Sequence, residues 1–280
     1  MRRGADDMDM KKTLSWMLGW VLAAGAAGAQ PGPDAQRIAV PIGTPGEPVV
    51  LEVSLLSGGV RVEGYDGNEV VVEATRKEPD REVEKVDGMY RIPNNTLGLT
   101  VEQHGNTVEV DGNWRSNVAA VSIQVPRRTS VKIDTVNDGG IEVTGVDGDH
   151  ELASVNGGIE ARGLSGSVVA STTNGDVTVE LLHVAADTPM SFTTWNGDWR
   201  RSSFPPSFGA QLVMKVGQGE IFSEFEVAVD PLGARMKRED GARGTRLELE
   251  SEVRARLGGG GPEVRFETFN GDVRIRKSGS

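Results

Sequence analysis

The segment ASVNGGIEARGLSGSVVASTTNGDVTVE, residues 153 to 180, carries Asn-Gly at Asn156 and Asn174, each flanked by apolar-polar alternation. Five more segments align on the same corner: LEVSLLSGGVRV (51–62), VKIDTVNDGGIEV (131–143), MSFTTWNGDWRR (190–201), LVMKVGQGEIFS (212–223) and VRFETFNGDVRI (264–275). Side chains alternate faces along a strand, so equivalent columns in the seven copies report which face is buried. Four residues before the corner stand Val53, Ile133, Leu152, Ala170, Phe192, Met214 and Phe266. After it come Val60, Ile141, Ile159, Val177, Trp199, Ile221 and Val273, then Val62, Val143, Ala161, Val179, Arg201, Ser223 and Ile275. One face is therefore apolar at the same phase in every copy. The copy at residues 131–143 has one extra residue, Asp138, which reads as a bulge.

The corner column itself is Ser57, Asn137, Asn156, Asn174, Asn196, Gln218 and Asn270. In a hairpin, Asn-Gly is selected for its tolerance of positive φ. In stacked coils the same Asn can also bond its copy about 4.8 Å away, donating one way and accepting the other. The column two residues earlier, rich in Thr at Thr135, Thr172, Thr194 and Thr268, suits a second ladder inside. Successive corners from Asn137 lie 19, 18, 22 and 22 residues apart. The limbs are short, and insertions gather at the second corner, tight in GVDGD but long in LLHVAADTP and SSFPPSFGAQ. That habit belongs to stacked repeats. Parallel crossovers are right-handed, so the chain is expected to form an all-β, right-handed single-chain β-solenoid with coils of about 18–22 residues.

Residues 1–29 contain a basic pair at Lys11 and Lys12, an apolar run over residues 14–26 and Ala27-Gly28-Ala29 before Gln30. This is the layout of a secretory signal peptide cleaved after Ala29, sharper if translation starts at Met8 or Met10. The apolar run is shorter than the roughly 20 residues of a membrane span, so no stable span is expected after cleavage. Residues 30–47, rich in Pro and Gly, read as an exposed lead-in. The repeat domain is placed at 48–277, with charged excursions near 75–95, with a short helical turn, and 230–261, with a hairpin or loop. A formal net charge of −11 repels polyphosphate and argues against a nucleic-acid partner. The absence of cysteine rules out a lipidated cysteine anchor, thiol catalysis and Cys-bound zinc.

Taken together, VNGGIEA, TNGDVTV, WNGDWRR and the closing ARLGGGGPEVRFETFNGDVRIR behind a signal peptide resemble the bacterial putative-adhesin domains of unknown function. These are β-solenoids built on Asn-Gly repeats. The resemblance covers roughly residues 48 to 277 and implies architecture. It supplies no catalytic residues.

The chemistry-bearing residues do not compose a familiar site. His104, His150 and His183 are scattered, and no metal triad is expected from them. The Asn-Gly-Asp corners lack calcium-loop spacing. GLSG at 163–166 misses the nucleophile-elbow spacing, and no phosphate-binding glycine loop exists. Outward positions Arg61, Glu142, Glu160, Thr178, Arg200 and Arg274 mix signs as a solvated surface does. No catalytic, cofactor or metal residue is assigned.

One column remains open to two readings. Leu56, Val136, Val155, Thr173, Trp195 and Phe269 directly precede the corner. Turned inward at the bend, the expected arrangement, they complete the core; left outside, they make a stripe able to bind sugar faces or a partner. Trp195, Trp199, Phe204 and Phe208 are the candidate binding surface, with core filling the expected role for Trp199. The expectation is an exported, non-enzymatic β-solenoid of the periplasm, cell surface or medium, acting as an adhesive, binding or scaffolding module. Envelope polysaccharide or another surface protein would be its partner. The alternatives are a β-helix polysaccharide lyase or glycosidase, which would need paired carboxylates, and a periplasmic sensor or regulatory partner.

Overall fold

The computed structural model describes residues 35–77, 85–86, 89–90, 97–114, 116–137, 139–184, 188–230, 235–241, 244–250 and 252–278. The signal-peptide segment and the bulge at Asp138 lie outside the described residues. β-Branched residues alternating with polar ones build strands, and among the described residues there is no helix. Twenty strands join in one barrel-like sheet around a single apolar core.

Two ladders make up most of this sheet. Limbs that precede a corner lie side by side in the order Thr107–Gly112, Val49–Ser57, Thr129–Asn137, Asp147–Asn156, the second half of Ile159–Asn174, Met190–Asn196, Glu263–Asn270 and Ala210–Gln218. Limbs that follow a corner form the other ladder: Val118–Pro126, Gly59–Tyr65, Ile141–Thr144, the first half of Ile159–Asn174, Val177–Val184, Trp199–Phe204, Val273–Lys277 and Ile221–Ser223. Each of these pairings is parallel, with Asn156 in register with Asn174 and Asn174 with Asn196. A hairpin would pair its two limbs antiparallel. The Asn-Gly corners are therefore repeats of one bend on successive rungs.

The rungs do not stack in chain order. Glu263–Asn270 is wedged between Met190–Asn196 and Ala210–Gln218, so the corner column runs Asn196, Asn270, Gln218. Aromatic packing accounts for the choice: Phe266 stacks on Phe192 with centroids 5.1 Å apart, which Met214 could not match. Likewise Val49–Ser57 sits between Thr107–Gly112 and Thr129–Asn137. The rung made by Thr107–Gly112 and Val118–Pro126 has no Asn-Gly corner, which hid it from the alignment.

Antiparallel strands close both margins. Leu99–His104 pairs with Thr107–Gly112, Glu69–Arg76 with Val118–Pro126, and Ala35–Pro41 with Glu69–Arg76. The lead-in is thus partly a strand, of which Val40 reaches the core while Ile38 on the same face stays exposed. On the opposite margin Glu252–Leu257 runs antiparallel to Ala210–Gln218 and to Val227–Val229. In the first excursion Lys85–Val86 pairs with Met89–Tyr90, so the described part is strand rather than a helical turn. The second excursion contains a hairpin, Arg235–Gly241 with Gly244–Glu250.

The inward columns fill the interior. Val53, Ile133, Leu152, Ala170, Phe192, Phe266 and Met214 form one, and Val60, Ile141, Ile159, Val177, Trp199 and Val273 another, all buried. At the last rung Ile221 is only half-buried and Ser223 is exposed, against their inward assignment, and one more assignment changes beside Trp199. A register shift beside Trp199 pairs Thr178 with Arg201 and Val179 with Ser202, so Ser202 takes the interior position that even spacing assigns to Arg201. The shift is a β-bulge in the backbone, and it leaves Ser202 fully buried.

Two residues before Leu152, in the next inward column, His150 stands between Val131 and Val168 and is 2% exposed. Neither ring nitrogen closes a well-formed hydrogen bond among the described residues, although the backbone of Ser165 and Val146 lies close to the ring. Desolvation holds its pKa below the ordinary value of 6.5, outweighing the pull of the Ser165 and Val146 backbone and of Asp149 and Asp147. The folded state thus binds this proton less readily than the unfolded chain does. Stability from this site is complete above about pH 6.5 and falls as pH drops toward the depressed folded value. Denaturant melts between pH 5 and 7.5 should show that loss, and His150→Leu should flatten the profile. An unchanged profile in the variant would assign the acid sensitivity elsewhere.

Candidate functional site

The corner is built from three adjacent columns. Asn156 Nδ2 donates to Asn137 Oδ1 at 3.0 Å, Asn174 to Asn156 at 2.9 Å, Asn196 to Asn174 at 3.0 Å and Asn270 to Asn196 at 2.8 Å. Ser57 and Gln218 lie at the two ends of the column, in register with Asn137 and Asn270, and Ser57 Oγ accepts from Lys77 Nζ at 2.7 Å. Gln218 belongs at an end because its extra methylene breaks the match that Asn on Asn requires.

Glycine follows because neighbouring backbones leave no room for a side chain. A Cβ on Gly175 would lie 2.3 Å from the Gly157 carbonyl oxygen, and one on Gly157 would lie 2.1 Å from that of Gly139. Close approach is the reason for glycine at these two positions, whereas the hairpin reading had invoked positive φ.

Aspartate completes the motif. Asp176 Oδ1 accepts from the Asp198 N–H at 2.9 Å, Asp198 Oδ1 from the Asp272 N–H at 3.1 Å, and Asp272 Oδ1 from the Glu220 N–H at 3.0 Å. These carboxylates are engaged by backbone donors. No group of three or more His, Cys, Asp or Glu side chains suited to a metal converges among the described residues.

The buried hydroxyl column is less of a self-bonded ladder than its spacing suggests. Thr135 Oγ1 donates to Ser154 Oγ at 3.1 Å, but Thr172 and Thr194 donate to the carbonyls of Gly157 and Gly175 at 2.9 and 3.3 Å. They satisfy backbone oxygens that the bend would otherwise leave unpaired.

The column before the corner faces outward. Leu56 is 46% exposed, Val155 40%, Trp195 57% and Phe269 45%. Strand alternation persists up to the bend, so residues beside the inward Leu55, Ser154, Thr194 and Thr268 must point away from the core. The inward reading failed because it gave the bend priority over the strand period. In rung order the column is Leu56, Val136, Val155, Thr173, Trp195, Phe269 and Gly217, an apolar stripe along one ladder.

Of the four aromatic residues singled out from sequence, only Trp195 is strongly exposed. Trp199 is fully buried against Phe192 and Phe266, and Phe204 is buried against Phe192. Phe208, partly buried, stacks on Phe204 with centroids 4.7 Å apart. The partner of Trp195 is Phe269, 74 residues away in sequence, with centroids 4.8 Å apart and planes 12° from parallel. The unexpected rung order brings them together.

The other outward face carries a shallow groove of about 480 Å³ over Gly59, Gly140 and Gly158, beside Glu142, Glu160 and Asp176. Its charges are paired at the surface: Arg61 with Glu142 at 2.8 Å, and Arg162 with Glu160. The three histidines stay apart in role. His104 lies 3.6 Å from Glu102, His150 is in the core, and His183 Nδ1 lies 3.4 Å from Ser165 Oγ at the second corner.

No protein-family model matches the chain, and no curated protein matches it. Among solved structures it is similar to a putative cell adhesion protein from Clostridium sporogenes ATCC 15579, at 12% identity and a TM-score of 0.35. That alignment covers 87% of this chain and 100% of the other.

Proposed function

We propose that the chain is an exported, non-enzymatic binding module of the bacterial cell envelope. In this reading it is a right-handed β-solenoid of the adhesin-like kind, and its outer stripe carries the contact. One observation supports this above the others: Leu56, Val155, Trp195 and Phe269 stay exposed in one column of a sheet whose interior is mainly apolar. An exposed apolar row of that length marks an interaction surface more readily than it serves solubility. The handedness rests on the rule for parallel crossovers, and export on the signal-peptide layout of residues 1–29. Engagement of carboxylates by ion pairs and backbone donors supports a binding role over a lyase or glycosidase.

Incubation of the purified chain with sedimented envelope material, scoring both retention and released product, tests the proposal. Retention without product is expected, and a Leu56→Ser, Val155→Ser, Phe269→Ser triple variant should lose most of it. Release of sugar fragments that one carboxylate substitution abolishes would overturn the non-enzymatic reading.

A further inference from the structure

Trp195 and Phe269 stack face to face at 4.8 Å, and the rungs run Asn174, Asn196, Asn270. Phe269 therefore covers one face of the indole, and the other face looks along the stack over Thr173. Thr173 is far smaller, so the ring stands as a wall above a lower floor. That floor continues through half-buried Ser171 and Ala153, which are in register with each other, and Ser171 is also in register with Thr193. None of these positions is charged in a chain whose composition is 25% Asp, Glu, Lys and Arg. The charged side chains nearest this floor are Glu151 and Asp134, the latter in register with Ala153, on one side, and Glu267, in register with Thr193 and paired with Lys215 at 3.0 Å, on the other.

The corner amides run along the border of this floor. Within the ladder each Asn uses one N–H and one lone pair, and an amide has two of each. Exposed Asn156, Asn174 and Asn196 thus each present a further donor and acceptor at the rung spacing of about 4.8 Å. A ligand for this place needs a flat C–H face for the indole and repeated hydroxyls for the amides. A purely apolar partner would bury those amide donors and acceptors unsatisfied, which disfavours it. A polyanion would meet Asp176 and Asp198 across the corner glycines and a net charge of −11.

We infer that the free face of Trp195, with the Asn156–Asn174–Asn196 amides, is a binding site for a neutral saccharide whose pyranose ring stacks on the indole. This rests on the binding-module reading above and specifies its ligand. The chain segment of the ligand runs along the stack, across the strands, so that successive sugar hydroxyls meet successive amides.

Calorimetric titration of the purified chain with hexamers of β-1,4-glucose, α-1,4-glucose and β-1,4-N-acetylglucosamine, and with a hyaluronan hexamer of comparable length, tests the inference. At least one neutral hexamer should bind and hyaluronan should not. Trp195→Ala should weaken that binding at least tenfold, Asn174→Ala several-fold, and Trp195→Phe much less than Trp195→Ala. Trp114→Ala, on the rung without an Asn-Gly corner, should leave it unchanged. Unaltered thermal melting of Trp195→Phe guards against loss of fold as the cause. Absence of binding by all three neutral hexamers, or binding that Trp195→Ala does not change, overturns the inference. If envelope retention persists and depends on the stripe while the hexamers fail, the saccharide assignment falls and the binding module stands. If retention itself is missing, the broader reading falls.

Discussion

Gly175→Ala is expected to destabilise the protein by about 3 kcal/mol or more, at the upper end of overpacking costs. The added methyl carbon would lie 2.3 Å from the Gly157 carbonyl oxygen and 2.6 Å from its carbon. Both atoms belong to backbone held by the parallel ladder, so neither can swing aside as a side chain would. Relief requires the rungs to separate, which stretches the Asn174–Asn156 amide bond and the bond from the Gly157 N–H to the Asn174 carbonyl. Gly259→Ala is the matched control. Nothing lies within 4 Å of a Cβ built there and its φ is not in the left-handed region, so a change within about 0.5 kcal/mol is expected. Urea melts of the two variants would separate close approach from any general sensitivity to glycine replacement. Equal effects would show that the corner can widen without loss.

Phe192→Ala should cost about 3–5 kcal/mol. Phe192 is fully buried and contacts Phe266 at 5.1 Å, Trp199 at 5.4 Å and Phe204 at 6.5 Å between centroids. Its neighbour in the preceding rung is Ala170, already small, so the vacated volume has no flexible side chain on that side to fill it. The variant should also lose near-ultraviolet ellipticity from Trp199 while keeping its strand signal. A loss below about 1.5 kcal/mol would mean that the aromatic cluster repacks as a volume-conserving core does.

The strand phase and the corner column were legible because each rung repeats the same local demand. An inward Val53, Ile133 or Leu152 and an outward Glu52, Lys132 or Glu151 recur at fixed distance from the bend. What was not legible depended on contacts between rungs. The position of Asn270 between Asn196 and Gln218 follows from Phe266 finding Phe192, a pairing that no spacing along the chain encodes. The Trp195–Phe269 stack inherits that order and so was missed, while Phe204, buried here, was counted among the surface aromatics and Trp199 fills the core as its column indicates. The bulge at residues 200–201 was hidden because Arg201 fits an even count, although burying its charge would be far costlier than adding one residue. Persistence of the strand period through Leu56 and Val155 could have been read from sequence. It was obscured by treating the bend as a place where side chains turn.

The wedged position of Glu263–Asn270 also bears on the order of events as the chain is made. Ala210–Gln218 emerges earlier, yet its parallel partner on the side of Met190–Asn196 is a strand synthesised about 50 residues later. Until residues 263–277 are made, Met190–Asn196 and Ala210–Gln218 each lack the strand that joins them in the finished sheet. A protein cut short before residue 263 therefore lacks an interior strand of each ladder rather than an outermost one.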